Sequence, residues 1–305
     1  MESDKTVLIT GASTGIGLEI ARELMKTNYR VYLTARESSL PRFDAHAIGE
    51  SQHVRIRALD VTKPEQREAM IAEAEGDWGG IDVLINNAGV SYRAVVEHVD
   101  ERERLSQMDV NFRSPMELIR LVLPGMRAKR AGRIITVSSV GGMMAMPTMA
   151  AYSASKFALE GAHESLWYEV RPWGIRVSLV QPGFVDSDGF QKVRYTNQSD
   201  RSEHELAEPY HEHYVNMAPF IERLMKSSRA TPASVARVVL KTMRRPRPPL
   251  RVPATLDAQA FTLLRRILPR STYHWLLYKM LPHVDVWGPS PKRLSALPPP
   301  RRETD

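Results

Sequence analysis

The chain has 305 residues, 43% hydrophobic and 25% charged, with a formal net charge of +7 and no cysteine. Such a length supports one large α/β domain or two smaller ones, and the absent thiols exclude disulfides, thiolate nucleophiles and Cys-ligated metals. No run of eighteen apolar residues occurs and MESDKTVLIT offers no signal-peptide core, which predicts a cytoplasmic chain; the arginines gather late and away from aromatic platforms, which speaks against a nucleic-acid partner.

In chain order, TVLIT, RVYLTA, HVRIRALD, IDVLINN, RIITVSS and IRVSLVQ are short β-rich runs, most of them separated by amphipathic or capped segments. Ile16, Ile20 and Leu24 recur every four residues behind a glycine-rich entry and predict the first helix. ESSLPRFDAHAIGESQ, between the second and third runs, holds at most a short helix. This βαβ repetition predicts an α/β doubly wound parallel sheet (Rossmann fold) with helices on both faces and right-handed crossovers. There is no tandem repeat. One domain over 1–252 is expected, with 253–305 as a C-terminal amphipathic helical extension and tail.

In such folds ligands sit beyond the carboxyl ends of the strands. The first strand is followed by GASTGIG, where Gly11, Gly15 and Gly17 allow a tight turn and close approach of a pyrophosphate to a helix N-terminus. The second strand ends in Ala35 and then Arg36. An acid at that place binds the adenosine ribose of NAD, whereas an arginine accommodates the 2′-phosphate of NADP. Arg36 supplies a planar fork and Ser13 a hydroxyl, so NADP(H) is expected, although Glu37 two residues on would favour NAD under a shifted register. Further along, YSASK places Tyr152 and Lys156 four apart on one helix face. Taken alone, that pair is as consistent with a solvated surface as with chemistry.

TGASTGIG, NNAG at 86–89, Asn111, Ser139, Tyr152 with Lys156, and PG at 182–183 together resemble, in order and spacing over residues 5–252, the short-chain dehydrogenase/reductase family. SSVGGMMAMP and AAYSASKFALEGAHESL are most similar to the 17β-hydroxysteroid and retinol dehydrogenases within it. The resemblance implies a catalytic set of Asn111, Ser139, Tyr152 and Lys156. Ketone reduction needs a hydride on carbon and a proton on oxygen, which a tyrosine hydroxyl of lowered pKa can donate. Lys156 would lower that pKa by its charge and, by resemblance, hold the nicotinamide ribose. Ser139, thirteen positions before Tyr152, would polarise the substrate oxygen, with Ser138 sent to the opposite face by strand alternation. Asn111 would, by resemblance, anchor a water in a proton relay; without the resemblance it reads as an ordinary helix-disrupting Asn.

The implied cofactor contacts are Gly11, Ser13, Thr14, Gly15, Ile16, Gly17, Arg36, Asp60, Val61, Asn87, Ala88, Gly89, Tyr152, Lys156, Pro182, Gly183, Val185 and Ser187, the last standing where threonine is more usual. Asp60 is equally suited to capping the helix entered at Thr62 and Pro64. Residues 184–228 occupy the place of the family's substrate lid. Phe184, Phe190, Tyr195, Tyr210, Tyr214 and Phe220, with Met143, Met144, Met146 and Met149, suit either an apolar pocket or ordinary packing. His204, His211 and His213 lack a consistent ligand spacing with acids, and no metal is expected.

MRRPRPPLRVP reads as an extended basic connector. Beyond it, FTLLRRILPRSTYHWLLYKMLP predicts two short amphipathic helices broken at Pro269, suited to packing on the body, pairing across a homo-oligomer, or lying on a membrane surface, and too short to span one. The expectation is an NADP(H)-dependent oxidoreductase interconverting an apolar ketone or aldehyde and its alcohol, of steroid, retinoid or acyl type. The alternatives are a catalytically silent dinucleotide-binding regulator and a peripheral membrane lipid-binding protein.

Overall fold

The computed structural model describes residues 5–186 and 193–288. Seven parallel strands form one sheet in the order β3-β2-β1-β4-β5-β6-β7: β1 Thr6–Ile9, β2 Arg30–Ala35, β3 Val54–Ala58, β4 Val83–Asn86, β5 Gly132–Val137, β6 Ile175–Gln181 and β7 Arg251–Pro253. Every strand is followed or preceded by a helical crossover, as parallel pairing requires. The helices are α1 Gly15–Met25, α2 Pro41–Ala45, α3 Pro64–Trp78, α4 Glu101–Met108, α5 Ser114–Ala128, α6 Ala150–Val170, α7 Asn197–His204, α8 His211–Ser227, α9 Pro232–Arg244, α10 Leu256–Ile267 and α11 Arg270–Lys279.

Strand alternation divides the interior into two layers. Val7, Ile9, Val31, Leu33 and Ile85 face one side, where Ile20 and Leu24 of α1 meet Val235 and Val239 of α9. Leu8, Tyr32, Leu84, Ile134 and Val177 face the other, against Met70, Leu118, Ile119, Val122 and Leu166 of α3, α5 and α6. Strands buried on both sides explain the near-continuous apolar runs of the sequence. β7 is the strand that the sequence hides, since Arg251 and Pro253 carry little β signal; register with β6 places it, through Leu179↔Arg251 and Val180↔Val252. Thus only the stretch from Arg245 to Leu250 connects α9 to the sheet, and the basic connector is shorter than its composition suggests.

The third packed cluster lies past the sheet. Ala258 and Phe261 of α10 and Tyr273 and Leu277 of α11 pack on Val140, Met143 and Met144, so this pair of helices sits against the body beside the end of β5. Leu268 and Pro269 part the two helices.

Candidate active site

The strand order reverses between β1 and β4, and the loops that open there are tied together by side chains. Gly11 and Gly15 have φ of 65° and 55°, a region costly for other residues. Gly17 is required for a different reason: a Cβ there would lie 2.1 Å from the Gly11 carbonyl oxygen. The Thr10 hydroxyl accepts from the backbone N–H groups of Asn87 (3.0 Å) and Ala88 (3.1 Å), while Asn87 Nδ2 donates to the Thr10 and Gly11 carbonyls at 3.1 and 3.0 Å. Thr10 is absent from the expected set, and its position as the last residue of TVLIT was the available signal. Thr14 caps α1 in backbone geometry but its side chain makes no capping hydrogen bond, so the first-turn N–H groups are available to an anion. These glycine-shaped backbone surfaces and free helix N–H groups fit a dinucleotide pyrophosphate.

Ala12 N–H donates to the Thr34 carbonyl at 2.9 Å, which holds the loop carrying buried Ser13 against the end of β2, beside exposed Arg36 and Glu37. Ile16 packs on the first core layer and Val61 is buried in the second. Asp60 does not cap α3. Its carboxylate accepts from Thr62 N–H at 3.0 Å and Thr62 hydroxyl at 2.7 Å, and Lys63 occupies the cap without a side-chain bond. The helix starts too late for Asp60 to reach its first N–H groups. Gly89 is exposed beyond the turn of Asn87 and Ala88.

Ser139 lies two residues beyond β5 and opens the 3-10 turn Val140–Gly142, its hydroxyl accepting from Gly141 N–H at 3.0 Å. The Tyr152 ring lies against the same turn, with Ser139 Oγ and Tyr152 Cε1 both bordering Gly141. A Cβ at Gly141 would lie 2.9 Å from Tyr152 Cε1, so glycine is what lets this turn lie along the ring. Ser138 instead turns inward and donates to Glu160 at 2.7 Å. Lys156 is buried; its ammonium donates to the Val137 carbonyl at 3.1 Å and stands 5.8 Å from the centre of the Tyr152 ring. Burial pushes this ammonium down to about 8, with Glu160 one turn away pulling upward. For Tyr152 the net direction is the reverse of the expected lowering: burial raises the phenol by more than the Ser139 side chain lowers it, and the one hydrogen bond of the Lys156 ammonium among the described residues goes to the strand.

Asn111 sits in a π-turn, Asp109–Arg113, between α4 and α5. It exchanges two hydrogen bonds of 2.8 Å with the Val90 backbone and donates to Ser155 Oγ at 3.0 Å, clasping the loop after β4 to the helix bearing Tyr152 and Lys156.

After β6, the Pro182 carbonyl accepts from Val140 N–H at 2.8 Å, joining this turn to the one that carries Ser139. Gly183 and Phe184 N–H donate to the side chains of Thr255 and Asp257 at 2.9 and 2.7 Å. A Cβ on Gly183 would overlap Asp257. Val185 is buried in the first core layer; Ser187 and Phe190 lie outside the described residues. Nothing in the sequence pointed to Thr255 or Asp257, which are more than seventy residues away from the turn they hold.

Beyond this turn is an apolar cavity of about 760 Å³, lined by Met144, Met146, Phe184, Phe220, Phe261 and Leu277 among others. Ser139 and Tyr152 are not among the residues that line it. Several aromatic candidates are elsewhere. Tyr214 is buried and its hydroxyl bonds His98 (2.9 Å), Tyr210 bonds Glu97 (2.7 Å) and Tyr195 accepts from Arg93 (3.1 Å), fastening α8 and the strand-like segment before α7 to the body. Met143 is in the core cluster under α10, and Met149 contacts Ser91. Among the described residues no group of three or more His, Asp or Glu is arranged to hold a metal.

A family profile described as "short chain dehydrogenase" matches residues 5–198. The chain belongs to this family. It is an oxidoreductase. A 3-ketodihydrosphingosine reductase of Bacteroides thetaiotaomicron is 36% identical over 250 residues, covering 80% of this chain and 86% of the relative. Human retinol dehydrogenase 8 is 32% identical over 287 residues, covering 90% and 91%. Among solved structures, a metagenomic short-chain oxidoreductase in complex with NADP aligns with a TM-score of 0.62 at 28% identity, over 82% of this chain and 96% of that one. The resemblance to retinol dehydrogenases read from the YSASK segment is therefore shared with full-length relatives.

Proposed function

We propose that this short-chain dehydrogenase uses NADP(H) to interconvert an apolar ketone or aldehyde and its alcohol. The observation that carries the reading is the convergence of Ser139, the Tyr152 ring and the buried Lys156, whose ammonium stands 5.8 Å from the ring centre, at the end of β5. NADP(H), when bound, supplies or accepts the hydride. In reduction, Tyr152 holds the proton that goes to the substrate oxygen. Its raised pKa keeps the phenol protonated at neutral pH, and Ser139 donates to the oxygen as negative charge grows on it. The phenolate left behind is stabilised by the Lys156 charge, which the low dielectric of the site strengthens. Asn111 fixes the helix that carries both residues and is suited to anchoring a relay water.

Arg36 and Ser13 are the groups proposed to hold the 2′-phosphate, and the NADP-bound structural relative supports this choice. Gly11 to Gly17 would cradle the pyrophosphate, Asp60 and Val61 the adenine, Asn87 to Gly89 the ribose side, and Pro182, Gly183, Val185 and Ser187 the nicotinamide side. The 760 Å³ cavity supports an apolar substrate, as do relatives named for a sphingoid ketone and for retinol. A cytoplasmic homo-oligomer with peripheral membrane contact belongs to the same reading, supported by exposed Leu105 and Tyr168 on the body and by exposed apolar side chains on the C-terminal helices; no described helix is long and apolar enough to cross a membrane.

A spectrophotometric screen of long-chain, sphingoid, retinoid and steroid ketones and aldehydes, with NADPH and with NADH, tests this. Turnover confined to apolar carbonyls and faster with NADPH is expected. Activity on none of them, with NADPH binding intact, would favour the silent regulator instead.

A further inference from the structure

α10 has two apolar faces. One, through Ala258, Phe261, Leu264 and then Leu268, packs on the body. The other is a stripe of Leu256, Ala260, Leu263 and Ile267 at intervals of four, three and four residues, and it faces solvent: Leu263 is 57% and Ile267 65% exposed. α11 adds Trp275 (60%) and Tyr278 (54%) one turn apart. A stripe at helical spacing left uncovered on two adjoining helices is a surface that expects a partner.

Charge decides which partner. From Ala258 to Val284 the sequence has no Asp or Glu, while Arg265, Arg266, Arg270 and Lys279 all lie there. Arg265 is spent on the Phe157 ring, leaving Arg266, Arg270 and Lys279 around the apolar stripe. A second copy of the chain meeting this surface across a two-fold axis would oppose like charges. Apolar and aromatic side chains rimmed by cations suit the headgroup region of an anionic bilayer, with Trp and Tyr at the interface and the helices lying in its plane. The position of the cavity adds a consequence. Leu256, His274, Tyr278 and Met280 are exposed and also line the cavity, so its mouth opens within the patch.

We propose that the α10–α11 pair docks on anionic lipid surfaces and that the apolar cavity is loaded directly from the bilayer. The loading clause rests on the apolar-carbonyl reading above; the docking clause does not. Two measurements separate them. The full chain is floated with phosphatidylcholine vesicles with and without phosphatidylserine, and NADPH-dependent turnover of an apolar ketone is compared in vesicles and as a soluble short-chain analogue.

Binding only to the anionic vesicles is expected, weakening with salt. Replacing Arg266, Arg270 and Lys279 together by Gln should lower it about a hundredfold, each cation contributing roughly fivefold. Leu263→Glu with Ile267→Glu, at exposed positions outside the cavity, should abolish flotation, leave turnover of the soluble analogue unchanged and cut turnover of the vesicle-borne ketone about tenfold or more, because the substrate must then cross water. No flotation with either vesicle, or a dimer in solution that the Leu263/Ile267 variant dissociates, overturns docking. Flotation with unchanged vesicle-borne turnover in that variant overturns loading. Flotation with no turnover of any carbonyl by the parent chain leaves docking supported and removes the reading on which loading stands, which overturns loading.

Discussion

The Asp257 carboxylate accepts the Phe184 backbone N–H at 2.7 Å, fastening the first turn of α10 to the loop that follows β6. With Thr255 on Gly183 at 2.9 Å, it ties the start of the C-terminal helices to that loop at two successive backbone N–H groups. Asp257→Ala leaves the Phe184 donor unpaired and should cost about 1–3 kcal/mol, read from urea unfolding. Because the freed loop borders both the proposed nicotinamide site and the cavity, KM for NADPH and for the ketone should rise more than kcat falls. Asp257→Asn, which keeps an acceptor, should recover most of the loss. Unchanged stability and KM in the Ala variant would show that the loop is held by other contacts.

His163 supplies a pH dependence with a definite sign. It is buried on α6, with Nδ1 bonded to the Leu159 carbonyl at 2.9 Å and Nε2 to the Thr136 hydroxyl at 2.7 Å, and burial pushes its pKa down to about 4. The unfolded chain titrates near 6.5, so between these values the unfolded state binds the extra proton. The stability linked to His163 is complete above about pH 6.5 and is lost as pH falls toward 4, a change of about 3 kcal/mol. His163→Gln should reduce the slope of unfolding free energy against pH in this window by one proton. Denaturant unfolding at a series of pH values measures it; an unaltered slope would mean that His163 is already charged in the fold.

Cofactor preference can be tested at Arg36, which is exposed just past the end of β2 beside the loop bearing Ser13. Arg36→Ala should raise KM for NADPH and leave NADH almost unaffected, since NADH lacks the phosphate. A charge-assisted bond of about 1.5–3 kcal/mol corresponds to a roughly ten- to hundredfold loss of preference. An acid at Ala35 should push further toward NADH. Equal losses with both cofactors would assign Arg36 to the fold or the adenine.

The doubly wound sheet was legible because strands buried on both faces leave apolar runs, and the glycine loop because its backbone needs residues without Cβ. β7 was not, since its pairing comes from register with β6 and its own residues are Arg, Val and Pro. Ser139 and Tyr152 could be named from their motif, but the upward pKa of Tyr152 could not, because burial is a tertiary property. The division of the aromatic residues of 193–228 was also invisible: Phe220 faces the cavity while Tyr214 is locked to His98, and both look alike in sequence.

The most direct test of the account is Tyr152→Phe, which removes one hydroxyl and keeps the ring. NADPH binding followed by fluorescence and the unfolding midpoint should match the parent, while kcat for the best apolar ketone falls about 10²-fold or more, as expected for loss of a general acid. Near-normal ketone reduction by this variant, with the cofactor bound as in the parent, would contradict the assignment of Tyr152 as the proton donor and with it the proposed chemistry of the site.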